Sequence, residues 1–334
     1  MKTSKKSGKP RSTTLQATII PFLIIILAAA LVGGSNYLVN FAIGPGMKST
    51  NAAGIMPAST LTEEDIQGIT DNWKVISEQA RTWTASVSSE EVHITSRDGL
   101  DLFGETYIAD GDSHLWVIGV HGYRGNHTQM AGIISNYGIR GYNALLPDLR
   151  ACGQSEGKFV GMGWLDRLDM LEWINWIIER DSQAQIILHG ISMGGATVMM
   201  TAGESLPPQV KAIVEDCGYT SVWDIFEDEL SYMFHLPAFP ILHIGSLFSS
   251  VSAGYGFAEA SALNQVRNAQ VPILFIHGAE DNFVHTDMVY PLYEACASEK
   301  QLLVVEHAGH GSSYMQDPAL YFDTVFQFIE SYIE

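Results

Sequence analysis

Residues 186–196 read Ile-Ile-Leu-His-Gly-Ile-Ser-Met-Gly-Gly-Ala, and this stretch decides the fold. The apolar run before Gly190 predicts a buried strand, and the small and apolar residues at 196–202 predict a helix directly after the turn. A serine between two glycines, with a strand before it and a helix after it, is typical of a nucleophile elbow. Gly190 and Gly194 leave room where side chains would collide. The stretch therefore predicts that Ser192 is a catalytic nucleophile.

Short apolar runs recur along the chain and alternate with helical patterns. Strands are predicted at residues 92–95, 100–108, 115–120, 143–146, 210–214, 273–276 and 302–305, and helices at 126–137 and 164–178. This alternation predicts an α/β fold, in which helices cover both faces of a mostly parallel sheet. We expect residues 91–334 to form one catalytic domain.

The alternation breaks between residues 219 and 263, where the chain is rich in aromatic residues. The segment is too long for a simple connection, so the sequence predicts an inserted helical cap above Ser192. Trp223 and Phe226 are expected to contact the substrate there. The alternative is that the rings only form the cap's own core.

A serine nucleophile needs a base, and the base needs a partner that orients it. Asp281 follows the strand at 273–276, and His310 follows the last strand, so both lie where strand ends meet loops. We therefore predict that Asp281 is the acid and His310 the base. Glu280 and His307 are neighbouring rivals, for which structural roles are expected.

The oxyanion of an acyl-transfer intermediate needs backbone donors. The loop after the strand at 115–120 reads His121-Gly122-Tyr123-Arg124-Gly125, and its glycines let the backbone approach the serine. The Tyr123 amide is the predicted donor, with the Met193 amide as its partner. The Tyr123 side chain is also a predicted substrate contact, whereas His121 is expected to shape the loop.

Together these motifs resemble the α/β-hydrolase superfamily, and particularly a membrane-anchored bacterial branch related to prolyl-oligopeptidase-like serine hydrolases. The resemblance covers residues 91–334, and the nucleophile, acid and base follow one another in the superfamily's order. Two positions depart from the pattern, since Ala151-Cys152 replaces the usual Gly-His and His285 replaces the usual proline. The remaining motifs that carry the resemblance are His121 to Gly125, Asp148 to Ser155, Gly190 to Gly194, His277 to Val284 and Gly309-His310.

The resemblance implies a serine hydrolase that cleaves carboxylic esters without a metal or an organic cofactor. We expect esters of small to medium apolar acids as substrates. A serine peptidase of the prolyl-oligopeptidase type is the alternative within enzymes, and a non-catalytic surface-binding protein is the alternative outside them. The intact set of Ser192, Asp281 and His310 argues against a mere binding protein.

The N-terminal region predicts export. Residues 17–43 carry no charge and are apolar apart from a short polar interruption, and they follow the basic residues Lys2, Lys5, Lys6, Lys9 and Arg11. Residues 1–44 are therefore predicted to form a transmembrane signal anchor that places the catalytic domain on the extracytoplasmic face. A cleaved signal peptide, which would give a secreted protein, is the alternative.

Residues 45–90 are predicted to form a linker followed by an amphipathic helix. Thr60 to Glu63 resembles a capping box, and one helical stripe is apolar: Ile66, Ile69, Trp73, Ile76, Ala80 and Trp83. We expect this helix to pack on the catalytic domain, with a position on the membrane surface as the alternative.

Composition excludes other classes of function. The chain has 334 residues and a net charge of −19, and residues 12–334 contain 13 basic against 37 acidic residues. So acidic a body repels nucleic acid. The three cysteines, Cys152, Cys217 and Cys296, are too few and too scattered for a disulfide framework or a zinc site.

Overall fold

Eight strands form one sheet, in the order β1-β2-β4-β3-β5-β6-β7-β8. The computed structural model describes residues 13–44, 60–109 and 111–333, so the five basic residues before residue 12 and most of the predicted linker lie outside it. The neighbours from β4 to β8 pair in parallel, whereas β1 and β2 are antiparallel. The α/β fold class predicted from the sequence is confirmed. The strands are β1 (Ser88–Thr95), β2 (Asp101–Ile108), β3 (Leu115–Val120), β4 (Asn143–Pro147), β5 (Gln185–Ile191), β6 (Val210–Asp216), β7 (Ile273–Gly278) and β8 (Lys300–Val305).

Helices cover both faces of this sheet. Where one helix was predicted at 126–137, a 3₁₀ turn at His127–Met130 precedes a shorter helix, because Asn126 and Asp148 hold the His127 turn through side-chain hydrogen bonds. The helices are α1 (Thr13–Ile43), α2 (Glu63–Ser86), α3 (Ala131–Gly138), α4 (Asp166–Arg180), α5 (Met193–Ala202), α6 (Val222–Phe234), α7 (Ala238–Ser252), α8 (Ala262–Val266), α9 (Val289–Ala295), α10 (Ser313–Gln316) and α11 (Pro318–Ile329).

The central strands are mostly apolar because both of their faces are buried. Ile187 and Leu188 are neighbours on β5, yet they belong to two different hydrophobic cores on opposite sides of the sheet. Helices α4, α5 and the cap pack on the Leu188 side, and α3 and α11 pack on the Ile187 side. Two-sided burial explains why these strands read as continuous apolar runs.

Helix α2 packs on the catalytic domain, as expected, but its start differs from the prediction. Thr62 and Asp65 form the capping box, two residues later than predicted, because Asp65 supplies the carboxylate that accepts from the Thr62 amide. Trp83 is buried against α3, where Gly138 leaves room for the indole. The first half of the apolar stripe stays open, and Trp73 is 52% exposed.

The predicted cap segment folds into α6 and α7 and a loop that returns to the core. Some of its rings form that core, since Tyr255 is buried and donates to the Val160 carbonyl at 2.8 Å. Phe226 packs edge-on against Phe257, with 4.8 Å between ring centroids. The segment therefore supplies packing, and helix α7 also packs on α1.

Helix α1 is more closely joined to the domain than a simple anchor would be. Its segment Ile25–Ile43 is long and apolar enough to cross a membrane, and it is the one helix among the described residues that meets this test. Its C-terminal end is nevertheless buried, with Ile43 fully enclosed in the core. Tyr123 donates a hydrogen bond to the Ala42 carbonyl, and Arg124 donates to the Gly44 carbonyl at 2.8 Å. A cation there suits the free carbonyls at a helix C-terminus.

Candidate active site

Ser192 lies on a strained turn between β5 and α5. Its backbone has φ 56° and ψ −118°, in the positive-φ region that residues with a Cβ rarely adopt. The two flanking glycines are required by contact. A Cβ at Gly190 would lie 2.1 Å from the Gly194 carbonyl oxygen, and a Cβ at Gly194 would lie 2.0 Å from the Val120 carbonyl oxygen. The backbones of β5 and α5 thus pack closely on either side of Ser192, and the serine hydroxyl lies at the surface of a cleft.

The structure brings together the three side chains predicted for catalysis. His310 Nε2 lies 2.8 Å from Ser192 Oγ, and His310 Nδ1 lies 2.7 Å from Asp281 Oδ2. An ionised carboxylate only accepts hydrogen bonds, so Nδ1 carries the proton and Nε2 accepts from the serine hydroxyl. This is the imidazole tautomer that a general base requires.

The surroundings of Asp281 keep it ionised. Burial disfavours the charged carboxylate. The electrostatic attraction of His310 in its protonated form and the hydrogen bonds from His277 and His310 outweigh this effect, and they hold the pKa of Asp281 well below its usual value. Its other oxygen accepts from the amides of Phe283 and Val284, both at 3.0 Å. The carboxylate is therefore fixed in place as well as charged.

The rival residues lie elsewhere. His307 is largely exposed, and its Nδ1 lies 3.7 Å from Asp65 at the start of α2. Glu280 has a buried Oε2 without a hydrogen-bond partner among the described residues, and it makes no contact with the imidazole of His310 that would replace Asp281.

Backbone amides predicted for the oxyanion site border Ser192 on two sides. The Met193 amide is the first of α5, where backbone amides have no acceptor within the helix. On the other side, a Cβ at Gly122 would lie 3.4 Å from the Ser192 Cβ, so the loop that carries Tyr123 touches the serine.

That loop is held by its own hydrogen bonds. His121 donates from Nδ1 to the Gly122 carbonyl at 2.7 Å and accepts from the Leu149 amide on Nε2 at 3.0 Å. The Gly122 amide donates to Gln129 Oε1 at 3.0 Å. Both nitrogens of His121 are thus occupied, and burial lowers its pKa, so it acts as a neutral support.

The loop after β4 is supported by buried charges. Asp148 accepts from the backbone amides of His127 and Gln154 at 2.6 and 2.7 Å, and Arg150 pairs with Asp169 at 2.7 Å. Ala151, one of the two departures from the superfamily pattern, has φ 59°. The usual glycine at this position would adopt that backbone without strain.

Ser192 and His310 line a cleft of about 720 Å³. One wall comes from the loop that carries Gly122 and Tyr123. Another wall comes from α2, through side chains that include Trp73, Ile76 and Arg81. Sequence reasoning did not assign α2 to the site. The exposed half of its apolar stripe is the signal that could have done so.

The predicted substrate contacts separate in the structure. Tyr123 lines the cleft, and it also lines a smaller apolar cavity to which Phe226 contributes. Trp223 lines neither of them, because its ring turns toward α7 and packs on His243 with 4.8 Å between centroids. Phe283, which no sequence pattern singled out, lines both cavities and lies 5.0 Å from the His310 ring.

Cys217 is a further neighbour that the sequence did not reveal. Its sulfur belongs to a group with Asp281 and His310 whose donor atoms all lie within 4.8 Å of one another. Burial raises the pKa of the Cys217 thiol well above its usual value, and the other two residues bond to each other. The thiol therefore fills space behind the pair in its neutral form. All three cysteines are free.

A buried polar network supports the turn from below. His189 accepts from the Tyr137 hydroxyl on Nδ1 and donates from Nε2 to Tyr321, which donates to Asp216 at 3.0 Å. The carbonyl of Asp216 accepts from the Ser192 amide at 2.8 Å. The network thus links β6 and α11 to the backbone of the serine.

Two family models match the chain. The alpha/beta hydrolase fold model matches residues 116–238, and the serine hydrolase (FSH1) model matches residues 186–311. The chain is similar to the uncharacterized protein YqkD of Bacillus subtilis, with 28% identity over 243 residues, which are 71% of this chain and 78% of the relative. It is also similar to the uncharacterized protein YfhR of Escherichia coli K12, with 25% identity over 67% of this chain and 74% of the relative.

Solved structures share the fold. The esterase Pf2001 of Pyrococcus furiosus aligns with a TM-score of 0.60 and 25% identity, over 74% of this chain and 93% of the esterase. An acylaminoacyl peptidase of Pyrococcus horikoshii aligns with a TM-score of 0.57 and 18% identity, over 74% of this chain and 42% of the peptidase. With the sheet order and the serine turn described above, these matches show that the chain has the α/β-hydrolase fold, and they support a hydrolase activity.

Proposed function

We propose that the chain is a membrane-anchored serine hydrolase that cleaves esters of small to medium apolar acids. The observation that carries the proposal is the hydrogen-bonded series from Asp281 to His310 to Ser192, at 2.7 and 2.8 Å. This series favours a neutral His310 with its proton on Nδ1, which is the form that acyl transfer requires.

The reaction follows from the positions of these groups. Ser192 Oγ attacks the ester carbonyl, while His310 Nε2 takes the hydroxyl proton and then gives it to the departing alcohol. Asp281 fixes the imidazole tautomer and stabilises the imidazolium. The amides of Met193 and Tyr123 stabilise the oxyanion, and water, activated by His310, then releases the acid from Ser192.

Three observations support an ester of an apolar acid as the substrate. The cavities beside Ser192 are lined largely by apolar side chains. The acidic body repels anionic substrates on approach. Among the similar structures, the Pyrococcus furiosus protein is named an esterase. Cleavage of peptide amides is the second candidate, supported by the similar fold of the acylaminoacyl peptidase.

Anchoring rests on α1. Its apolar length fits a bilayer, and the basic residues before it favour a cytoplasmic N-terminus. The catalytic domain then lies on the extracytoplasmic face. We expect protease added to protoplasts to cleave the domain, and the protein to stay in the membrane fraction. Recovery of a soluble form that starts near Leu31 would instead show cleavage of a signal peptide.

A fluorophosphonate probe tests the chemistry. The full-length protein in mild detergent should be labelled, and Ser192→Ala should abolish the label. Ser182→Ala, which changes an exposed turn remote from the cleft, is the matched control and should be labelled normally. Absence of label in the unaltered protein would favour a binding protein.

A substrate panel tests the ester specificity. Matched p-nitrophenyl esters and aminoacyl p-nitroanilides should be compared by kcat/KM. Faster hydrolysis of the anilides would contradict the esterase proposal and support a peptidase.

A further inference from the structure

The smaller cavity, of about 110 Å³, lies where the end of α1 meets the cap helices α6 and α7. Its wall is largely apolar, and most of it is built by the three helices. The apolar side chains that line it include Leu38, Val39, Phe226, Met233, Ile241 and Leu242. An apolar space of this kind accepts hydrocarbon groups and disfavours ions.

Two aromatic side chains separate this cavity from the catalytic cleft. Tyr123 and Phe283 line both spaces. Phe283 lies against the His310 ring, and Tyr123 belongs to the loop whose amide is the proposed oxyanion donor. An acyl chain attached at Ser192 would therefore meet this partition, and the apolar cavity lies directly beyond it.

The length of α1 places the cavity beside the membrane. Its 31 residues make a helix about 46 Å long at about 1.5 Å per residue, whereas the hydrocarbon core of a bilayer is about 30 Å thick. About ten residues of the helix must then lie outside the core, and the burial of Val39 and Ile43 against the domain places them at the C-terminal end, so that the membrane span ends before them. These are the residues that line the cavity, including Leu38 and Val39.

The cap presents an apolar surface on the same side. Helix α7 contains no charged residue and packs on α1. Its outward side chains include Phe239, Leu247 and Val251, which are 72%, 67% and 83% exposed. An exposed apolar helix that adjoins a membrane-spanning helix is suited to contact with the lipid interface.

From these observations we infer that the cavity between α1 and the cap is the acyl-chain pocket of the enzyme, and that it takes the hydrocarbon chain of an uncharged ester at the membrane surface. The anchor helix is thus part of the substrate site. This inference rests on the proposed function, since it assigns the acyl group of the ester that Ser192 attacks.

Glu229 sets a limit on the chains that fit. It lies in the cavity wall with only 9% of its surface exposed, and its Oε2 has no hydrogen-bond partner among the described residues. A chain that ends in a carboxylate would place a second acid beside it without water. The pocket therefore selects plain hydrocarbon chains over dicarboxylic half-esters of the same length.

The test is the acyl-chain profile of the full-length protein in mild detergent. Values of kcat/KM for p-nitrophenyl acetate, butyrate and hexanoate should rise by up to about 4-fold per methylene that enters the cavity. Leu242→Trp, which fills the cavity from α7, should lower the hexanoate-to-acetate ratio of kcat/KM at least about 10-fold. Leu247→Trp makes the same change on the exposed face of α7 and should leave the ratio unaltered.

A second variant guards against misfolding of Leu242→Trp. Leu38 is half-buried on α1, and Leu38→Trp fills the cavity from that helix. It should lower the hexanoate-to-acetate ratio in the same way, which a pocket built by the cap alone would not predict. The inference would be overturned if kcat/KM did not change with acyl-chain length, or if Leu38→Trp with an unaltered melting temperature kept the same hexanoate-to-acetate ratio. Fluorophosphonate labelling would in either case still support the hydrolase. Loss of labelling in the unaltered protein would overturn the proposed function itself.

Discussion

Replacing Asp281 with asparagine exchanges one carboxylate oxygen for an NH₂ group, and the contacts decide which one. Oδ1 accepts from the amides of Phe283 and Val284, so the oxygen of the new side chain must remain there. The NH₂ group then takes the place of Oδ2, 2.7 Å from His310 Nδ1. Because NH₂ donates, Nδ1 must accept, and the imidazole proton moves to Nε2. His310 can then no longer accept the proton of Ser192.

The expected loss is large in rate and small in stability. A base held in the wrong tautomer costs about 10⁴ in kcat, which corresponds to about 5.5 kcal/mol of barrier. The new NH₂ group also faces His277, whose Nε2 lies 3.4 Å from Oδ2. Two donors in contact should lower the free energy of unfolding by about 1–3 kcal/mol.

The assay is hydrolysis of p-nitrophenyl acetate, with melting temperature as the measure of folding. Glu280→Gln makes the same chemical change one residue earlier and should retain nearly full activity. If folded Asp281→Asn kept more than about a tenth of the original kcat, the tautomer argument would be wrong.

Three further perturbations have defined outcomes. Ser192→Ala and His310→Ala should each lower kcat by a factor of about 10⁴ to 10⁶, and the double variant should lose no more than either single variant. Loss of activity in His307→Ala, with His310→Ala still active, would show that His307 is the base. Burial raises the pKa of Glu215 from its ordinary 4.5 to about 8, so the folded state binds this proton more tightly than the unfolded state. The contribution of Glu215 to the unfolding free energy is therefore complete below about pH 4.5 and is lost as the pH rises to about 8. Glu215→Gln should therefore flatten the pH dependence of the unfolding free energy between these values by up to about 1.4 kcal/mol per pH unit, and an unchanged slope in pH-dependent melts would contradict this. Ala151→Gly should raise the unfolding free energy by up to about 1 kcal/mol, because φ 59° strains alanine, and a lower melting temperature would show that the strain is absent.

The parts of the site that chemistry restricts were predictable from the sequence. Only certain residue types can attack, accept a proton or fit a crowded turn, so Ser192, Asp281 and His310 are recognisable from their places after strands. The contacts at Gly190 and Gly194 show why the turn motif is so readable, since no side chain fits at either position.

Strand ends and long-range packing were less predictable. Strand β8 begins at Lys300, two residues before its apolar run, because pairing with Ile273 on β7 extends it through polar residues. The direction in which Trp223 points depends on its contact with His243 on α7, the next helix, and the sequence around Trp223 does not reveal how these two helices pack. Helix α1 is apolar on all sides over most of its length, and only Asn36 and Asn40 near its C-terminal end mark the face that stays exposed.

If α1 spans the membrane as proposed, the hydrogen bonds from Tyr123 and Arg124 to its C-terminal end attach the domain directly to the membrane-spanning helix. A protein on a slack tether tumbles above the bilayer and samples substrate from the bulk. With α1 in the membrane, the loop that flanks Ser192 is instead hydrogen-bonded to the spanning helix, which fixes the height and tilt of the cleft relative to the lipid. Encounter with a lipid-dissolved ester then becomes a search in two dimensions, and removing α1 to obtain a soluble fragment would also release the loop that the chemistry depends on.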